Sequence, residues 1–153
     1  MSKAKRAIDL DRHLPHRLVT LANRLEQHAY KTYSRRFGLT FGEWRVLGVV
    51  AGNPEVTVNR AAELLGLDKG GVSRTVAQLL RRKLLTRRQD PADQRRAILA
   101  LTGEGARVHD QIAPFAQARD RRLLSVLTEA QRRDVHAIVA ALTREIEHML
   151  AEE

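Results

Sequence analysis

The chain of 153 residues is 43% hydrophobic, enough for one packed domain with a helical extension and too much for a disordered chain. It has no cysteine, which excludes a disulfide scaffold, a thiolate metal site, a cysteine nucleophile and a thiol redox switch. No apolar run is long enough to span a bilayer or to serve as a secretory signal, so a cytoplasmic protein without a membrane partner is expected; its net charge of +9 suits an anionic partner.

In chain order, Leu14, Leu18, Leu21 and Leu25 fall on one stripe of a helix predicted from about Leu10 to Arg36, and Gly38 ends it. Thr40-Phe-Gly-Glu43 reads as a capping box, with Leu39 and Trp44 at the hydrophobic-staple positions, and opens a second helix to about Ala51. Gly52-Asn53-Pro54 breaks that helix. Thr57 then caps a short one whose apolar side is Val58, Ala61, Ala62, Leu64 and Leu65, closed by Gly66. After a tight turn Asp68 caps a further helix in which Val72, Val76, Leu79 and Leu80 recur at helical spacing, a helix-turn-helix pattern.

From Leu84 the period changes. Leu85–Gln89 and Arg96–Leu101 look extended around the turn residues Asp90–Gln94, which predicts a two-stranded hairpin, or wing, that must lean on the helices. Thr102 with Glu104 starts a long helix in which Pro114 is expected to make a kink, and Thr128-Glu-Ala-Gln131 is a second capping box starting the last helix. In that helix Val135, Ile138, Leu142, Ile146 and Met149 form an apolar stripe. The terminal helices carry more apolar surface than a small lobe needs, so a second copy of the chain is expected to cover it.

The charge is local as well as large. From Lys69 to Arg96 nine cations stand against two anions, so seven of the nine net charges lie there. A recognition helix needs small or polar residues at its exposed N-terminal end, and Lys69, Gly70, Gly71, Ser73, Arg74, Thr75 and Gln78 meet that need, with Thr57 on the preceding helix. A solvated polar face is the alternative, and the turn before it and the basic hairpin after it weigh against that. Arg87, Arg88, Arg95 and Arg96 give the wing tip the charge to enter a narrow minor groove, where a neighbouring Asp can hold a guanidinium in place; a charged edge that blocks aggregation is the plainer account.

The segments Asp68-Lys-Gly-Gly-Val-Ser-Arg-Thr-Val, Asp90-Pro-Ala-Asp-Gln-Arg-Arg and Leu101-Thr-Gly-Glu-Gly resemble the multiple-antibiotic-resistance regulator (MarR) family, from about Leu10 to the end of the chain. Asp93-Gln-Arg95 is similar to the family's Asp-x-Arg wing motif. Gly70-Gly71 stands where Ser and Thr are usual, and Lys83 where a glycine often ends the recognition helix. The resemblance implies one such chain over 1–153: a winged helix-turn-helix lobe at 40–101 and dimerisation helices at 10–36 and 102–150. The fold class is mainly α with a small β-hairpin wing. It further implies a homodimer on double-stranded DNA, a palindromic operator and repression relieved by a small molecule. Thr57, Lys69, Gly70, Gly71, Ser73, Arg74, Thr75, Gln78, Arg88, Asp93, Arg95 and Arg96 are then the DNA-binding candidates.

Enzyme motifs are missing: Gly71-Val-Ser73 lacks the second glycine of a nucleophile elbow, Gly103-Glu-Gly105 follows no nucleotide-binding unit, and there is no phosphate loop, so no catalytic residue and no cofactor are expected. His13 and His16 share a helical spacing that a metal could use, but a site needs further ligands and none is assigned. Trp44 reads as core or as a ligand-stacking wall. In MarR-like proteins the effector pocket lies between the dimer helices and the DNA-binding lobe, which makes His13, His16, Arg17 and Trp44 candidates for an aromatic carboxylate. A metal-responsive regulator and a sequence-indifferent architectural DNA binder are the alternatives.

Overall fold

The computed structural model describes residues 8–93 and 95–152, so the basic segment 1–7, Gln94 and Glu153 lie outside the described residues. The elements run α1 Leu14–Phe37, α2 Phe41–Gly52, α3 Val58–Leu65, α4 Lys69–Arg81, β1 Leu85–Gln89, β2 Ala97–Leu101, α5 Gly103–Leu124 and α6 Glu129–Glu152. The chain divides into two compact units, Met1–Ile112 and Ala113–Glu153. The boundary falls inside α5 beside Pro114, which lacks the N–H that would otherwise bond one turn back along the helix.

α1 begins later than its leucine stripe suggests. Pro15 has no N–H and a fixed φ, so it belongs in the first turn of a helix, and the helix starts at Leu14 with His13 as N-cap. Residues before it form a turn in which the His13 N–H donates to the Leu10 carbonyl at 3.3 Å. Gly38, at φ 61°, ends α1 in the left-handed region, its N–H donating to the Ser34 carbonyl.

Local bonds set the other boundaries. The Glu43 N–H donates to Thr40 Oγ1 at 3.1 Å while Glu43 Oε2 accepts from the Thr40 N–H at 2.8 Å, a complete capping box. Thr57 Oγ1 caps α3, Gly66 closes it at φ 62°, and Arg45 Nη2 donates to the Leu65 carbonyl at its end. Asp68 Oδ1 accepts the Gly71 N–H at 2.7 Å and starts α4. In the second unit, Thr128 and Gln131 make the reciprocal bonds that start α6. Arg132 reaches back to the carbonyls of Leu124, Ser125 and Leu127, tying off the α5–α6 turn.

The first unit holds the core. Tyr33 of α1, Leu47 of α2, Ala61 and Leu65 of α3, Val72, Val76 and Leu79 of α4, Leu85 and Leu99 of the hairpin and Ile112 of α5 are buried together. Leu64 is not among them: it is 42% exposed, because it lies off the narrow stripe that Ala61, Ala62 and Leu65 present on so short a helix. The hairpin is antiparallel, with Leu85 opposite Leu101, Arg87 opposite Leu99 and Gln89 opposite Ala97. It is also tied to the helices, since Thr57 forms a bridge with Ile98 and the Leu99 N–H donates to the Val56 carbonyl at 2.8 Å. Arg96, expected in the second strand, closes the turn instead, its N–H donating to the Asp93 carbonyl at 2.8 Å.

Candidate nucleic-acid interface

α4 lies against the hairpin with its apolar residues inward, which leaves a basic groove between them. Lys69 and Ser73 of α4 and Arg87, Arg95 and Arg96 of the wing line a volume of about 520 Å³, together with Thr57, the N-cap of α3, and Asn59 within it. Val76, Ala77 and Leu80 of α4 add apolar surface to its lining. Five of the candidates read from the sequence therefore converge here: Thr57, Lys69, Ser73, Arg95 and Arg96. Such a groove offers cations and hydroxyls to a phosphate backbone from two elements at once.

Gly70, Arg74 and Gln78 lie one turn apart along α4, beside that groove, and Arg74 and Gln78 are exposed. The paired glycines have a local reason. A Cβ on Gly71 would stand 2.8 Å from Asp68 Oδ2, and one on Gly70 would stand 3.1 Å from Asp68 Oδ1 and 3.5 Å from Arg74 Nη1. They make room for the capping carboxylate and for the Arg74 guanidinium to lie back over the helix start. Thr75 is partly turned inward, its Oγ1 donating to the Gly71 carbonyl at 3.2 Å.

On the wing the clasp differs from the expected one. Asp93 acts on the backbone, its Oδ1 accepting the Arg95 N–H at 2.9 Å, and the carboxylate that holds a guanidinium is Asp90, 3.3 Å from Arg96 Nη1. Asp90 is buried and its other oxygen accepts the Ala92 N–H, so it both shapes the turn and orients Arg96. Arg88 is placed on the opposite face of the strand from Arg87 and pairs with Glu55 at 3.4 Å, away from the groove. Arg87 takes the position that Arg88 was expected to hold. The alternation Leu85, Arg87, Gln89 could have revealed this, because Leu85 is core. Asn59 had no such signal in the sequence.

Lys83, where the resemblance sets a glycine, adopts φ 57° all the same. The left-handed turn survives because the Leu84 N–H donates to the Leu79 carbonyl and the Lys83 carbonyl accepts from Thr102 Oγ1 at 2.7 Å. The path from recognition helix to wing is thus kept.

The ligand candidates do not gather within one chain. Trp44 stacks on His109 at 5.2 Å between ring centroids and lies 5.9 Å from Tyr33. His16 and Arg17 line a separate open cavity of about 410 Å³ with Leu10, Asp11 and Leu21. At about 1.5 Å of rise per residue, Arg17 stands about 24 Å along α1 from Tyr33. His13 is outside the helix altogether, its Nδ1 accepting the His16 N–H at 3.4 Å, so the two histidines are not a pair on one helix face. Among the described residues no group of three or more His, Asp or Glu side chains gathers where a metal could bind.

Known proteins share this arrangement. A sequence model of the MarR family matches residues 37–96. The MarR/EmrR family transcriptional regulator from Acinetobacter sp. ADP1 is 29% identical, with a TM-score of 0.87 over 92% of this chain and 99% of that one. PcaV from Streptomyces coelicolor, a transcriptional regulator solved in complex with its natural ligand, is 30% identical, with a TM-score of 0.69 over 93% of this chain and 96% of that one. Bordetella bronchiseptica BpsR, whose DNA binding is regulated by 6-hydroxynicotinic acid, shares the fold at 21% identity and a TM-score of 0.80, over 90% and 97% of the two chains. The chain belongs to the MarR family of winged helix, DNA-binding transcriptional regulators.

Proposed function

We propose that the protein is a repressor that binds a palindromic operator as a homodimer and leaves it when a small aromatic acid binds. The observation that carries the DNA part is the groove in which Lys69 and Ser73 of α4 face Arg95 and Arg96 of the wing. α4 then lies in the major groove, where Arg74 and Gln78 reach base edges, and the wing arginines enter the adjacent minor groove. Two copies related by a two-fold axis read two half-sites about one helical turn apart, which makes the operator palindromic.

The effector reading rests on chemistry and on relatives. An aromatic acid needs a cation for its carboxylate and a wall for its ring. His16 and Arg17 supply the first and Trp44 with His109 the second, and the distance along α1 means that one site can hold both groups only if α1 of a second copy supplies the cation. PcaV has a natural ligand and BpsR answers to 6-hydroxynicotinic acid, which supports a ligand of this class here. A bound acid would act by biasing the separation of the two recognition helices, and only a ligand with different affinities for the free and DNA-bound forms can do so.

Trp44 is the only tryptophan, so its fluorescence reports on the site directly. Titration with benzoate, salicylate, nicotinate and hydroxycinnamate, run beside a DNA-release assay, should give one compound that changes the emission and releases DNA over the same concentration range. If none binds while zinc or a chelator changes DNA affinity, the metal-responsive reading replaces this one.

A further inference from the structure

Glu43 and Asp90 are the two buried charged residues among the described residues, and Glu43, at 5% exposed, is the deeper. A carboxylate withdrawn from water this far is costly unless both oxygens are paired. Both are. Oε2 accepts the Thr40 N–H at 2.8 Å, which caps α2, and Oε1 accepts Arg82 Nη1 at 2.9 Å, from a residue far along the chain.

The place of Arg82 gives the contact its meaning. Arg82 is the C-cap of α4, and Lys83 next to it turns the chain through φ 57° into β1. Arg82 thus leaves the chain at the joint between the recognition helix and the wing, and its guanidinium ties that joint to Glu43 at the start of α2. We propose that Glu43 is a positioning residue for DNA recognition: through Arg82 it fixes α4 against the wing, so that Arg74 and Arg95 meet the duplex in register. The proposal rests on sequence-specific duplex binding and is independent of the dimer and effector readings.

The chemistry singles out glutamate. A capping box accepts Glu or Gln alike, because either offers one oxygen to the N-cap N–H. Here two donors must be served, and glutamine has one acceptor oxygen; its NH₂ would face the donors of the guanidinium. Glu43→Gln thus keeps the cap of α2 and releases the joint, which makes it a cleaner probe than a truncation.

The test compares two duplexes of equal length, one selected from a randomised library by the wild-type protein and one scrambled. Affinity for the scrambled duplex follows phosphate electrostatics and should be unchanged or slightly tighter in Glu43→Gln, while the ratio of selected to scrambled affinity falls about tenfold. Arg82→Met, which leaves the cap untouched, should lower the ratio as much, Arg82→Lys should lie between, and the Glu43→Gln/Arg82→Met double variant should be no worse than either single one. A wild-type ratio in Glu43→Gln overturns the proposal. So do single-variant effects that add, or a melting temperature and both affinities that fall together, which is the mark of a merely structural role. Should Glu43→Gln fail to fold, the ratio in Arg82→Met decides. A wild-type protein that selects no sequence removes sequence-specific binding, and the proposal with it.

Discussion

Gly103 and Gly105 begin the same helix turn and answer to different constraints. A Cβ on Gly105 would lie 1.9 Å from the Leu84 carbonyl oxygen, a backbone atom that cannot step aside, whereas nothing lies within 4 Å of the Cβ position at Gly103. Gly105 is thus the point where α5 presses on the strand that leaves the recognition helix, held there by Thr102, whose N–H donates to the Leu84 carbonyl at 3.1 Å. Gly105→Ala should lower stability by about 3 kcal/mol or prevent folding, and Gly103→Ala should be neutral or slightly stabilising, as read by urea denaturation. Lys83 gives the opposite case, a side chain in a backbone conformation that favours glycine. Lys83→Gly should raise stability by about 0.5 to 1 kcal/mol in the same assay, the relief of the left-handed strain less the added freedom of the unfolded chain. At this scale the sequence showed where glycine was unusual, but the Leu84 carbonyl that Gly105 must admit belongs to another element and left no local mark.

Elements were legible wherever their ends are set by bonds three or four residues apart. Thr40 with Glu43, Thr57, Asp68, Thr128 with Gln131, and the left-handed Gly38 and Gly66 all stand where side-chain chemistry placed them. The start of α1 was misplaced because the apolar stripe continues past Pro15, which decides it. Contacts between distant residues were not legible: Asp90 rather than Asp93 clasps a wing arginine, and Arg88 turns to Glu55. This last difference can be measured. Arg87 faces the groove and Arg88 does not, so Arg87→Ala should cost duplex affinity on the order of 1 kcal/mol or more and Arg88→Ala clearly less. Equal losses would mean that the strand presents both faces to DNA.

For the whole molecule, the surfaces left apolar matter most. In the first unit Leu14, Leu18 and Leu21 are between 41% and 50% exposed, and in the second Ile138, Ile146 and Met149 are between 53% and 56% exposed. Among the described residues neither stripe is covered within its own unit, and a second copy is the partner proposed for both. Sedimentation at micromolar concentration should therefore give twice 17.3 kDa. A stable folded monomer would remove the dimer and with it the two-fold operator. The same result would leave no route for Arg17 and Trp44 to share a ligand.

If the recognition helix and the wing grip duplex DNA together, removing an arginine from either must weaken the complex. Anisotropy of a labelled duplex selected by the wild-type protein should be followed with wild type, Arg74→Ala and Arg95→Ala at about 50 and 200 mM salt. Each variant should lose about 1 to 3 kcal/mol, and wild-type affinity should fall steeply between the two salt concentrations as phosphate counterions are released. Wild-type affinity in both variants would mean that DNA is held by some other surface.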